Sequence, residues 1–167
     1  MNSMYGVLGS AGCRFHDTRL ASSITLRGHE IMMETGTFIE QLGFDVIYGD
    51  TDSTFVWLKN CQSLEEANTK GKMLEEQINQ HWQQKISAEF DLPSLLEIEY
   101  ETCFKHFFMP TLRGSDSGSK KRYAGLKETS QGHEIVFKGL ESVRSDWTEL
   151  ARSFNKPYLK KCLANKA

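Results

Sequence analysis

Two short β-favouring runs, Phe44–Tyr48 and Ser53–Leu58, flank the turn-forming Gly49-Asp50-Thr51-Asp52. Branched and aromatic residues suit a pleated strand while Gly and Asp suit a turn, so the segment predicts a β-hairpin with a polar, acidic tip. The apolar residues Val46, Ile47, Tyr48 and Phe55, Val56, Trp57, Leu58 predict that this hairpin is buried. Helical periodicity lies on both sides of it. From Asp17 to about Gln41 the residues Leu20, Ile24, Ile31, Phe38 and Leu42 recur at helical spacing, with Asp17 or Thr18 as a cap and Gly43 as the stop. Ser63 followed by Glu66 is a capping box, and Leu64, Ala67, Leu74, Ile78, Trp82 and Ile86 make one stripe of a second helix that closes before Pro93.

Beyond Pro93, Leu96, Ile98, Tyr100 and Thr102 alternate with Glu97, Glu99 and Glu101, which predicts a strand with one acidic face. Arg113 to Ser119 is a Gly/Ser loop that leads into Lys120-Lys121-Arg122-Tyr123. Strand signals return at Tyr123–Leu126 and Glu134–Phe137, and a last helix is expected to start near Asp146. The alternation of helices with antiparallel strands predicts an α+β domain: an antiparallel sheet with two long helices packed on one side.

Charge divides the chain. The net charge of −2 over 167 residues conceals −8 on residues 1–112 (8 Lys+Arg, 16 Asp+Glu) and +6 on residues 113–167 (12 Lys+Arg, 6 Asp+Glu). Halves of opposite sign point to different chemical partners. No apolar run approaches the ~18 residues of a membrane span, and no secretory signal pattern opens the chain, so an intracellular protein is expected. Cysteines 13, 61, 103 and 162 form no Cys-x-x-Cys pair and are read as free thiols.

Three segments could carry chemistry. Asp50 and Asp52 at the hairpin tip suit Mg²⁺, which takes one or two protein carboxylates and leaves its other positions to water and phosphate. Asp-x-Asp in a turn is more often a solvated tip, and Thr54 and Phe55 exclude the EF-hand pattern. Lys120-Lys121-Arg122-Tyr123 offers cations for phosphates and a ring for stacking, although lysines on a solvated edge strand look the same. Asn2 and Tyr5 share a helix face ahead of a glycine-rich exit, Gly6-Val7-Leu8-Gly9.

Taken in order, these segments resemble the polymerase core of family B DNA polymerases. Asn2-Ser3-Met4-Tyr5-Gly6 is similar to the end of the fingers motif Lys-x-x-x-Asn-Ser-x-Tyr-Gly, Tyr48–Ser53 matches the palm motif Tyr-Gly-Asp-Thr-Asp-Ser, and Lys120–Gly125 matches the Lys-x-Tyr motif. The segments Gly12–Phe15 and Asp17–Ile24 resemble the bacterial members. The resemblance implies a palm region of a DNA-directed DNA polymerase, with residues 1–9 ending the fingers motif, 10–147 the palm and 148–167 starting the thumb. It implies catalytic, metal-binding roles for Asp52 and Asp50, contacts of Asn2 and Tyr5 with the incoming nucleotide, and contacts of Lys121, Arg122 and Tyr123 with the primer. It further implies Mg²⁺ as cofactor, primer–template DNA and deoxynucleoside triphosphates as partners, a sliding clamp as a further partner, a role in replication and repair, and a bacterial cytoplasmic location. Glu99 and Glu101 fall where some relatives place acids near the metals, a solvated strand face being the competing reading.

The family's other metal-binding Asp lies in an Asp-x-x-Ser-Leu-Tyr-Pro-Ser motif, and its fingers Lys lies four positions before Asn2; neither occurs in these 167 residues. The 167 residues alone are therefore expected to be inactive. Two other classes compete: a catalytically inert DNA-binding or interaction module, and a two-metal nuclease, which would need more carboxylates converging on the hairpin.

Overall fold

The computed structural model describes residues 2–49, 52–111, 121–129, 132–140 and 145–164, with the side chains of 2–4 and 164 left aside. Among them are four helices and five strands, in two compact units that divide between Lys59 and Asn60.

The first unit holds α1 (Asn2–Gly9), α2 (Thr18–Gln41), β1 (Asp45–Gly49) and β2 (Thr54–Trp57). The Asp17 carboxylate caps α2 by accepting from the Arg19 N–H at 2.9 Å, satisfying one of the helix's orphan donors. The helix stops where expected: the N–H of Leu42 bonds back to Phe38, and Gly43 adopts φ +87°, a conformation only glycine takes without strain. α2 packs on α1 and on β1. Its buried residues are Thr35 and Ile39, near the end that meets the hairpin, while Leu20 and Ile24 of the predicted stripe are exposed. β1 and β2 form the predicted hairpin, with Gly49 opposite Thr54 as its last pair and a register shift between Val46 and Tyr48 that leaves Ile47 as the extra residue. The expected burial of this hairpin is corrected: its described residues are half-buried or exposed, and Ile47 and Trp57 face solvent. A two-stranded ribbon with a helix against β1 has too little covering to bury both faces.

The second unit holds α3 (Leu64–Phe90), β3 (His106–Phe108), β4 (Tyr123–Thr129), β5 (Gly132–Lys138) and α4 (Glu149–Ala164). The capping box forms at α3: Ser63 Oγ accepts from the Glu66 N–H at 3.1 Å and Glu66 accepts from the Gln62 N–H at 3.0 Å. Of the predicted stripe, Ala67, Leu74, Ile78 and Trp82 are buried and Leu64 and Ile86 half-buried, and Gly71, outside the predicted stripe, is buried with them. The three strands form one antiparallel sheet in the order β3-β4-β5. Ala124 and Leu126, two apart on β4 and hence on one face, join Leu140 and, from α4, Leu159 and Leu163 in a core that Ile135 and Phe137 also touch. α4 begins at Glu149, three residues after the expected start, because the Thr148 hydroxyl accepts from the Ala151 N–H and so acts as the cap. The α+β class holds, with its strands divided between a two-stranded and a three-stranded sheet.

The alternating segment 96–102 forms no strand. It runs extended along α3, whose side chains take the place of a neighbouring strand. The Asn79 amide donates to the Ile98 carbonyl at 2.8 Å and its oxygen accepts from the Ile98 N–H at 2.9 Å, while Glu75 accepts from the Tyr100 N–H at 2.7 Å. The Tyr100 ring lies over Gly71 and its hydroxyl donates to Asn68 Oδ1 at 2.7 Å. Period-two patterning reports which side chains are covered, and here the cover is a helix.

Candidate functional site

In the first unit the hairpin carries the acidic motif. Tyr48 and Gly49 end β1, Asp52 and Ser53 lead into β2, and Asp50 and Thr51 lie outside the described residues. Tyr48 and Phe55 are paired across the strands with ring centroids 5.6 Å apart, which ties the two ends of the turn together. The Asp52 carboxylate is exposed and accepts from the Ser53 hydroxyl at 3.4 Å, and among the described residues no cation is paired with it. At the opposite end of the hairpin Asp45 is ion-paired with Lys59, whose ammonium also stands 5.3 Å from the Trp57 ring. An exposed carboxylate with no cationic partner, beside a hydroxyl, is an all-oxygen donor set that fits Mg²⁺. No described group of three or more His, Cys, Asp or Glu side chains could enclose a metal.

Tyr5 is set by a second contact in the same unit. The Thr25 hydroxyl donates to the Ala21 carbonyl at 3.0 Å, so the Tyr5 hydroxyl donates to Thr25 Oγ1 across 3.1 Å. His16 Nδ1 contacts the Leu8 carbonyl at 3.0 Å and ties the exit of α1 to the loop before α2. The Tyr5 ring, anchored at its tip, keeps 45% of its surface exposed. Asn2 lies in the first turn of α1, and its side chain is outside the described residues.

The basic motif belongs to the second unit. Tyr123 opens β4 opposite Lys138, and Arg122 and Lys121 precede it; Lys120 and the Gly/Ser loop fall outside the described residues. Tyr123 stands in a three-ring cluster, 5.3 Å from Phe107 and 6.2 Å from Phe104, with Phe104 and Phe107 5.9 Å apart. Lys121 has φ +62°, a left-handed backbone uncommon for a residue with a Cβ. Downstream on the sheet, charges are paired: Lys105 with Glu128 at 2.8 Å and Lys127 with Glu134 at 3.1 Å. The lysine beside Glu128 holds its carboxyl below the usual range. Glu97, Glu99 and Glu101 are exposed, in keeping with a solvated acidic face. Phe104 and Phe107 went unnoticed in the sequence, where nothing distinguishes them from ordinary apolar residues.

The family model for DNA polymerase family B matches residues 1–167. The chain belongs to DNA polymerase family B. It is 58% identical over 154 residues to DNA polymerase II of Escherichia coli, covering 92% of this chain and 20% of that protein. The DNA polymerase alpha catalytic subunit of Xenopus laevis is 35% identical over 156 residues, covering 90% of this chain and 9% of that protein. A solved family B DNA polymerase from Pyrobaculum calidifontis shares the fold with a TM-score of 0.51 at 24% identity, across 96% of this chain and 19% of that one. The chain thus spans about a fifth or less of the length of these relatives. Its similarity to a bacterial polymerase II accords with the bacterial character of Gly12–Phe15 and Asp17–Ile24.

Proposed function

We propose that this family B chain is the palm region of a DNA-directed DNA polymerase, with residues 1–9 closing the fingers motif, 10–147 forming the palm and 148–167 starting the thumb. The observation that carries this reading is the exposed Asp52, paired with no cation among the described residues, on the turn of a hairpin whose motif, Tyr48–Ser53, matches the polymerase palm. Asp52 and Asp50 would hold Mg²⁺, completed by an acidic residue of the upstream family motif. When bound, Mg²⁺ supplies charge stabilisation to the phosphates during nucleotidyl transfer.

The chain's own residues provide position. Tyr5, fixed at its hydroxyl by Thr25, offers an exposed ring beside the nascent base pair, and Asn2 on the same helix offers an amide to the incoming nucleotide. Lys121 and Arg122 neutralise primer phosphates, and Tyr123, held in its aromatic cluster, sets where the primer end lies. Contacts of this kind carry no sequence information, which suits an enzyme whose choice of nucleotide is made by base pairing. DNA repair synthesis and a sliding-clamp partner belong to the same reading, as the family resemblance of the sequence implies.

The test is Asp52→Asn in a full-length polymerase carrying this segment. Nucleotide incorporation is expected to be lost while primer–template binding is retained; near-normal incorporation would refute the metal assignment. The 167 residues alone, freed of nucleases, are expected not to extend a primer with Mg²⁺ present, since the upstream Asp motif and the fingers Lys are absent from them.

A further inference from the structure

The Lys121–Tyr123 segment meets two glycines whose missing side chains create the space it occupies. The pairing of β4 and β5 ends at Tyr123 opposite Lys138, so Gly139 follows directly where the paired strands stop. Lys121, in its left-handed conformation, lays its backbone carbonyl against Gly139. A Cβ at Gly139 would overlap that carbonyl oxygen, stand 3.1 Å from its carbon and lie 3.4 Å from Arg122 Cγ. The neighbour that would have to yield is backbone, so no side-chain rotation could relieve the clash. Gly139 itself has φ +58° and is followed by Leu140, buried in the core with Ala124 and Leu126, which fixes it from the other side.

The second glycine acts on Tyr123. Gly125 lies two residues beyond Tyr123 and so on the same face of β4, and the Phe104 ring lies against it. A Cβ there would overlap the ring edge and stand 2.6 Å from Phe104 Cγ. Phe104 is in turn one of the two rings against Tyr123. Displacing Phe104 therefore moves the wall that orients Tyr123.

We propose that Gly139 and Gly125 are positioning residues for the primer-contact segment: Gly139 sets the backbone from which Lys121 projects, and Gly125, through Phe104, sets the ring of Tyr123. The inference rests on the reading of Lys121 and Tyr123 as primer contacts. Neither glycine is itself a DNA contact; each acts through the segment it places.

Gly139→Ala, Lys121→Ala, their combination, Gly125→Ala and Gly125→Ala/Phe104→Leu would be made in a full-length polymerase carrying this segment. Primer–template affinity would be measured over a salt series, with hydrogen–deuterium exchange of the amides of 121–129 and 133–137. Gly139→Ala is expected to weaken binding about tenfold, as loss of one charged hydrogen bond does, and to lower the salt slope by about 1, as Lys121→Ala does. The double variant should bind no more weakly than Lys121→Ala alone, because both remove the same contact. Exchange should rise at 121–123 while residues 126–129 of β4 and 133–137 of β5 keep their protection. Gly125→Ala should weaken binding, and the smaller side chain of Phe104→Leu should restore it.

Additive losses in the double variant, unchanged exchange at 121–123, or loss of protection throughout 126–129 and 133–137 would each overturn the inference. If Lys121→Ala left affinity and salt slope unchanged, the primer reading would fall. Raised exchange confined to 121–123 in Gly139→Ala would then still establish Gly139 as the residue that places this segment.

Discussion

Asn79→Ala should destabilise the second unit by about 2 kcal/mol, and the figure follows from two bonds. The Asn79 amide both donates to and accepts from the backbone of Ile98, at 2.8 and 2.9 Å, in partly buried surroundings. Each such bond contributes about 1 kcal/mol net, and stranding a buried partner costs about 1–3 kcal/mol, reduced here because water can reach a half-buried group. Partial hydration of Ile98 brings the total towards the lower end, about 2 kcal/mol. With a urea dependence of about 2 kcal/mol per molar, the unfolding midpoint should fall by about 1 M at unchanged slope.

Asn79→Asp separates geometry from polarity. Its carboxylate still accepts from the Ile98 N–H but turns a second acceptor toward the Ile98 carbonyl, so at neutral pH it should destabilise at least as much as alanine. Facing a carbonyl, this carboxyl is expected to titrate above its ordinary value, and once protonated it again has a donor. The difference between Asn79→Asp and the parent chain should therefore narrow as pH falls toward about 4. A midpoint shift below about 0.2 M for Asn79→Ala, or an Asn79→Asp deficit independent of pH, would refute the view that this side chain stands in for a strand.

Gly71→Ala sets a gain of about 1 kcal/mol in helix propensity against a Cβ that would stand 2.7 Å from Tyr100 Cζ. Overpacking costs about 1–3 kcal/mol, so net destabilisation is expected by urea unfolding, with a greater loss of protection at 98–102 than at β4. Glu66 and Glu128 are held below the ordinary glutamate value of 4.5, chiefly by hydrogen bonds from Lys70 and Lys105. A depressed folded value means that the stabilisation is complete above pH 4.5 and lost as pH falls through the depressed values. Acid titration of Lys70→Ala and Lys105→Ala should accordingly show flatter acid limbs. Tyr100 behaves in the opposite sense: burial first, then the nearby Cys103, pushes its hydroxyl up to about 12. Its contribution should be intact below pH 10 and decline as pH rises toward 12, a decline that Tyr100→Phe should abolish.

Local signals were legible wherever the deciding contact is a few residues away. The caps at Asp17 and Ser63, the stop at Gly43, the hairpin and the stripe of α3 all depend on hydrogen bonds or periodicities within one or two turns. The candidate residues Asp52, Tyr5 and Lys121 were legible as motifs, but their surroundings were not. That Tyr5 is pinned by Thr25, twenty residues away, or that Tyr123 stands against Phe104 and Phe107, depends on side chains from other segments. The segment 96–102 departs from the expected strand for the same reason: alternation records that one side is covered and is silent on whether a strand or a helix covers it.

The amino-acid order alone was enough to set the helices, the hairpin and strands β4 and β5, the opposition of an acidic and a basic half, and the three motifs that mark a family B polymerase, because these are properties of short stretches and their sequence. The fold had to decide where burial falls. It left the acidic hairpin partly open to solvent, replaced a strand with the amide of Asn79, and brought the Lys121 carbonyl onto Gly139 across the end of a β-ladder. Those outcomes depend on which distant surfaces compete for the same space, and that competition is settled only when the chain closes on itself.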